Sequence, residues 1–209
     1  MEFDYISSKE AIDFLLPKHY SGRKPQITKA FGWFRKGKLK AVCTFGKPAT
    51  PSICYGICGE KWKYNVYELN RLCRTEDLEE QLSEFVSACL WCLKPENWII
   101  VSYSDTAMNH HGYIYQACSF IYTGATKQRT DCVSNLGNHA RHYDKDNLSE
   151  YRKIRSSKHR YVYFCARDKR IKKEMLKDFT YPILPYPKGD NSNYVLGEYL
   201  KDQYVKLEG

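Results

Sequence analysis

No run of eighteen consecutive apolar residues occurs in the 209-residue sequence, so no segment has the length and composition of a membrane-spanning helix. Met1-Glu2-Phe3-Asp4 also lacks the charged and apolar regions of a secretory signal. A soluble protein with no membrane partner, working in the cytoplasm, is expected. Paired metal spacing is missing too: Cys54-x-x-x-Cys58, with Cys43 and Cys73 near it, does not repeat as a structural zinc site does, and Cys89-x-x-Cys92 lacks the strand-then-helix setting of a redox motif. The nine cysteines are odd in number, and Cys89 and Cys92 fall inside an apolar helical pattern, which predicts reduced thiols rather than a disulfide framework. With 43% hydrophobic residues the chain is long enough to bury one real core.

What the sequence has is positive charge, unevenly spread. The net charge is +9, and eleven Lys or Arg lie between Arg152 and Lys177 against only Asp168 and Glu174. Arg152, Lys153, Arg155, Lys158, Arg160, Lys169, Arg170, Lys172 and Lys173 suit a polyanion, and Tyr151, Tyr161, Tyr163 and Phe164 among them could meet unstacked bases. The plain alternative is a solvated basic face backed by core tyrosines.

The hydrophobic pattern predicts a regular alternation. Ser7 or Ser8 caps a helix through Leu16, with Glu10 set for a capping box and Pro17 as the stop. Ala30 to Arg35 and Leu39 to Phe45 read as strands joined by a tight turn at Lys36-Gly37-Lys38, and Lys47 to Gly59 as a loop. Asn65 to Cys73 is a third strand, and Thr75 caps a helix from Asp77 to Leu93 with Leu78, Leu82, Phe85, Val86, Cys89 and Leu93 on one stripe. Trp98 to Ser104 is a buried strand that runs through a polar turn into a helix from Tyr113 to Tyr122. Thr126 to Val133 and Tyr161 to Arg167 are late strands, separated by a polar stretch from Asn135 to His159. The segment from Tyr181 to Asn193 is either an ordered arm or a linker, and Leu207-Glu208-Gly209 is set aside as a scar.

This order is that of an α/β (α+β) domain of the Gcn5-related N-acetyltransferase (GNAT) type, a mixed, splayed central sheet flanked by helices. Residues 1–178 would be the catalytic domain, with the basic region at 150–178, and 179–209 a C-terminal extension. Strand ends in such sheets carry chemistry. Tyr115, early in the helix after the buried strand, has the place of a general acid, and Asp105 at the strand end could accept or orient a proton of an exocyclic amine. Arg71 could hold phosphate or carboxylate in two-pronged fashion.

Five segments taken together carry a closer resemblance: His19-Tyr20-Ser21-Gly22-Arg23; Phe31-Gly32-Trp33 with Ala41 through Pro48; Tyr67-Glu68-Leu69-Asn70-Arg71-Leu72; Ser102-Tyr103-Ser104-Asp105; and Gly112-Tyr113-Ile114-Tyr115-Gln116-Ala117. Over roughly residues 10 to 135 the chain resembles the Mom family of phage DNA-modification proteins. The resemblance implies a transferase that converts adenine in DNA to N6-carbamoylmethyladenine, protecting it from restriction in the cytoplasm of an infected bacterium. It implies His19, Tyr20, Asp105 and Tyr115 as catalytic positions, and Arg71 with Ser102 and Ser104 on the donor side. His19, Tyr20 and Asp105 could together hold iron.

One departure concerns the donor. Acyl-CoA enzymes of the GNAT type follow the third strand with glycines that cradle a pyrophosphate, yet Arg71-Leu-Cys-Arg-Thr-Glu-Asp-Leu has none and carries Glu76 and Asp77 there. A carbamoylmethyl group is an isomer of a glycyl group, so glycyl-tRNA or a glycyl thioester stands beside acetyl-CoA as donor. DNA is the expected acceptor, tRNA a further partner, and a homodimer stays open. Reaching N6 in a duplex requires a flipped base or open strands, with Trp33, Tyr55, Trp62, Tyr64, Tyr103 and Tyr113 as stacking candidates. Two other functions compete: a non-enzymatic nucleic-acid-binding module, and a conventional GNAT enzyme acting on a protein or small amine. His139-x-x-His142 beside Asp144 and Asp146 reads as a solvated loop, and His110-His111 as a turn that could reach the acceptor.

Overall fold

The computed structural model describes residues 2–134, 148–189 and 203–206. His139, His142, Asp144, Asp146 and residues 207–209 lie outside them.

In chain order the elements are β1 (Glu2–Tyr5), α1 (Ser8–Leu15), β2 (Lys29–Arg35), β3 (Lys38–Gly46), α2 (Pro51–Trp62), β4 (Val66–Arg74), α3 (Leu82–Leu93), β5 (Trp98–Asp105), α4 (Tyr113–Ala117), β6 (Ile121–Ala125), β7 (Arg129–Ser134), β8 (Leu148–Arg155), β9 (Lys158–Cys165), α5 (Lys169–Lys177) and β10 (Tyr204–Lys206). A seven-stranded sheet runs β1-β2-β3-β4-β5-β9-β6, and a three-stranded sheet runs β10-β8-β7. All pairs in the large sheet are antiparallel except β4 with β5. This is the mixed, helix-flanked sheet expected from the sequence.

Local chemistry explains the elements that were foreseen. Ser7 and Glu10 form the reciprocal capping box on α1, which satisfies two donors the first turn would otherwise leave open. Lys36 and Gly37 both take positive φ, which matches the twist of the β2–β3 hairpin. Two faces of the sheet are covered. Phe85, Val86, Cys89, Leu90 and Leu93 of α3 pack with Phe31, Phe45, Trp98 and Ile100, while Ile57 and Trp62 of α2 and Met175 of α5 pack with Val66, Ile99, Val101 and Phe164. All nine cysteines are free, in line with reduced thiols.

Four expectations need correction. Residues 47–59 are not a loop throughout: Pro51, suited to a first helical turn, starts α2, whose backbone breaks at Cys58 and Gly59. The helix expected from Asp77 starts only at Leu82, because the Arg74 guanidinium takes the Leu78 and Glu80 carbonyls at 2.7 and 3.2 Å and holds 75–81 as a turn. The helix expected to reach Tyr122 ends at Ala117; Ser119 turns the chain at φ 59, and Tyr122 joins strand β6. Finally, β1, β6, β8, β10 and α5 were not foreseen, and β7 belongs to the smaller sheet.

Residues 179–189 lie on the body. Phe179 and Tyr181 pack against the α2–α5 core, Leu184 N–H donates to the Tyr122 carbonyl at 3.0 Å, and Tyr186 Oη donates to the Phe120 carbonyl at 2.7 Å.

Gly112, which opens α4, has φ 77, and an added Cβ would sit 2.5 Å from the Tyr161 ring. Gly37 has φ 70 with open space around it. Gly37→Ala should cost about 1 kcal/mol from backbone strain alone. Gly112→Ala adds a steric clash and should cost about 2–4 kcal/mol, seen as a larger fall in the thermal unfolding midpoint.

Candidate active site at the fork of the sheet

Strands β4 and β5 pair only from Val66–Ile99 to Leu69–Ser102, after which they diverge. The branch point is fastened by a side chain: Ser102 Oγ donates to the Leu69 carbonyl at 2.9 Å. Tyr115 of α4 lies beside Ser102 at this branch. Burial raises the Tyr115 pKa, which keeps the phenol protonated at neutral pH.

The fork opens into a cavity of about 980 Å³ lined by β4, β5, α4, the segment after α1, and the β7–β9 region. His19, Tyr20, Arg71, Ser104, Asp105 and Tyr115 all line it, so the structure brings these sequence-predicted residues together. Ser102 is fully buried at the branch. Eight Lys or Arg line the cavity (Arg23, Arg71, Arg74, Lys127, Arg129, Lys153, Arg155, Lys158) against Glu68, Glu76 and Asp105. Such an enclosure favours anions.

Asp105 is 4% exposed, and its carboxylate is fully engaged. Oδ1 accepts from Ser156 Oγ at 2.5 Å and from the Ala107 N–H at 3.0 Å, and Oδ2 is 3.0 Å from Lys158 Nζ. Burial acts to raise its pKa, but the Ser156 hydrogen bond and the Lys158 ammonium outweigh it and hold the group below its usual range. Asp105 is therefore a poor proton acceptor in this arrangement; it ties the end of β5 to the β8–β9 turn and orients Lys158.

His19 is buried at 7% exposure, and its Nδ1 accepts from the Ser21 N–H at 3.2 Å. Burial first, then Arg71, His110 and Lys158, push its pKa down to about 3, so the imidazole is neutral. It stacks on Tyr20 with centroids 4.5 Å apart, and burial pushes the Tyr20 phenol up to about 12. These properties do not fit the iron site read from His19, Tyr20 and Asp105: both Asp105 oxygens are taken and the Tyr20 phenolate is disfavoured. Among the described residues no three His, Cys, Asp or Glu side chains group as metal ligands.

Arg71 Nη1 donates to the Asn70 carbonyl at 2.6 Å and Nη2 to the Arg23 carbonyl at 3.4 Å, while Nε is buried without a partner among the described residues. Ser104 Oγ, on a residue 5% exposed, is likewise without a partner. Both are donors awaiting an acceptor.

Glu68 is the group that sequence reading passed over. It occupies a half-buried position on β4 and lines the fork, and its carboxylate has no hydrogen bond or ion pair among the described residues. Burial pushes its pKa up to about 7, against the opposing pull of Arg71 and Lys158. Its place in Tyr67-Glu68-Leu69 gives no periodic signal, because a lone acid in a buried strand reads as an exposed position until the fork is known.

The basic segment is divided. Lys153, Arg155 and Lys158 face the cavity, whereas Lys169, Arg170 and Lys173 are exposed on α5, which packs beside α2. Arg152 is tied to Thr130, and Arg160 to Thr123 and the Tyr181 ring. Lys172 lies 5.4 Å from the Tyr163 ring centroid. Of the stacking candidates, Trp33 and Trp62 are core, Tyr55 and Tyr64 are exposed on and after α2, and Tyr103 and Tyr113 line the cavity.

A family model described as the Mom protein family matches residues 1–188. The chain belongs to that family. No curated protein matches the sequence. Solved structures similar to this Mom-family chain include an N-acetyltransferase from Staphylococcus aureus Mu50 (12% identity, 78% of this chain and 98% of that one, TM-score 0.47). A putative acetyltransferase from Salmonella typhimurium with acetyl-CoA gives 6% identity, 80% and 95% coverage and TM-score 0.49. The ribosomal-protein-S18-alanine N-acetyltransferase of Escherichia coli gives 8%, 80%, 95% and 0.48.

The turn between β4 and α3 does not fit a coenzyme A pyrophosphate. It has no glycine, Arg74 occupies its carbonyls, and Glu76, Asp77, Glu79 and Glu80 place negative charge there.

A Glu68→Gln variant tests the electrostatics. Folding raises this carboxyl's pKa from 4.5 to about 7, so the wild type loses stability as pH rises through that window. The variant should unfold at a higher temperature than wild type at pH 8, by about 2–4 °C per kcal/mol relieved, and at the same temperature at pH 4.

Proposed function

We propose that this Mom-family protein is a transferase that places a carbamoylmethyl (glycinamide) group on N6 of adenine in DNA, guarding phage DNA from restriction inside the infected bacterial cell. The observation that carries the reading is one cavity holding a protonated tyrosine, an unengaged carboxylate and a basic wall. DNA supplies the phosphates for Lys127, Arg129, Lys153 and Arg155, and a flipped adenine the base. Tyr103 and Tyr113 are the aromatic faces available to it.

The donor is a glycyl ester or thioester, glycyl-tRNA being the form that needs no pyrophosphate cradle. N6 attacks the glycyl carbonyl, the C–O or C–S bond breaks, and Tyr115 gives its proton to the leaving atom; the N6 proton restores the phenol. The glycyl ammonium then yields a proton to Glu68, and the free amine attacks purine C6. The C6–N6 bond breaks as Glu68 passes its proton to the departing nitrogen and takes one from the secondary ammonium formed at C6, which it then releases to solvent, so the original N6 ends as the carboxamide nitrogen.

Nucleoside mass spectrometry of plasmid DNA from expressing bacteria is the test. Wild type should yield a deoxyadenosine carrying the glycinamide unit, and Tyr115→Phe should lower its yield about 100-fold or more. Unmodified adenine beside soluble wild-type protein would sink the reading. Loss of the modified nucleoside with DNA binding retained in Tyr115→Phe marks an enzyme, whereas a phenotype left intact by that variant marks a binding module. Lys153→Glu should weaken DNA binding, and with it the salt dependence, while Lys169→Glu on α5 should leave both nearly unchanged.

A further inference from the structure

Most of the charge in the fork cavity is positive, so an unengaged carboxylate within it calls for a ligand of its own. Alternation along the strands puts Glu68 on the same face as Val66, and Tyr103 on the same face as Val101; Val66 and Val101 share one core cluster. Glu68 and Tyr103 therefore form one wall of the fork, at the level where β4 and β5 part. Burial raises the Tyr103 pKa, with Glu68 adding to the effect, so its phenol stays neutral and does not compete for cations. Asp105 is committed to Lys158, Ser156 and Ala107, and Glu76 is exposed, which leaves Glu68 as the half-buried acid of the cavity that is free to meet a cation.

We infer that Glu68 is the recognition group for the α-ammonium of the donor, so that the cavity accepts an aminoacyl unit and rejects a plain acyl unit. The inference rests on the proposed glycyl chemistry and deepens it. An acetyl donor would leave the carboxylate desolvated and unpaired, a penalty that discriminates far more strongly than a missing methyl group does. Once the amine is seated, the same carboxylate takes the ammonium proton: an N–H bond breaks, an O–H bond forms, and the amine becomes a nucleophile.

The probes are glycinamide and acetamide, titrated into the full chain and followed by NMR chemical-shift change at pH 7.5. Glycinamide should bind the wild type about tenfold or more tightly than acetamide, and Glu68→Gln should bring the two within about twofold. Equal affinities in wild type, a preference that survives Glu68→Gln, or no binding of either probe would overturn the assignment. The wild-type comparison needs no variant, so misfolding cannot imitate the result. Neither probe contains a base. Failure here leaves adenine modification standing, and a retained ammonium preference without modified adenine sinks only the DNA reading.

Discussion

The parting of β4 and β5 is the constraint on which the rest of the molecule depends. Two parallel strands that stayed paired would close the sheet and leave no interior space. Here the pairing stops at Leu69 and Ser102, and the Ser102 hydroxyl on the Leu69 carbonyl pins the place where it stops. Past that point the β4 edge facing β5 has no strand partner among the described residues, so Asn70, Arg71 and Leu72 border a cavity instead of a ladder. Tyr115 on α4 lies beside the Ser102 hydroxyl, so the helix and the branch border the same cavity.

Electrostatics then sorts the groups that share this space. The two carboxylates at the fork have opposite environments. Asp105 is surrounded by donors that hold its pKa below the usual range, whereas Glu68 has none among the described residues and burial pushes its pKa up to about 7. Pairs of acids driven apart in this way divide labour, one fixing geometry and the other exchanging protons. His19, buried among cations, is driven to neutrality; its ring stacks on Tyr20 and its Nδ1 accepts from the Ser21 N–H.

The sheet was legible in the sequence where its signals are local. The capping box at Ser7, the Lys36-Gly37 turn and the apolar stripe of α3 each arise from neighbours a few residues apart. The residues of the candidate site came from the family resemblance, and His19, Tyr20, Arg71, Asp105 and Tyr115 do line one cavity. What stayed hidden depends on contacts between distant segments. The Asp105 clamp requires Ser156 and Lys158, and the late start of α3 requires Arg74 to turn back on its own loop. Glu68 is the sharpest case, since its meaning comes wholly from strands that separate beside it.

Helix α4 has five residues, too few to persist alone in water. Its surroundings come from far along the chain: Gln116 Nε2 donates to the Pro187 carbonyl at 3.3 Å, and Tyr161 Oη and Tyr113 Oη donate to the His111 and Gly189 carbonyls. Such contacts hold α4 only once the long loops between them are closed. The turn that carries Tyr115 is therefore kept in place by residues 179–189 and by β9 rather than by its own helical propensity.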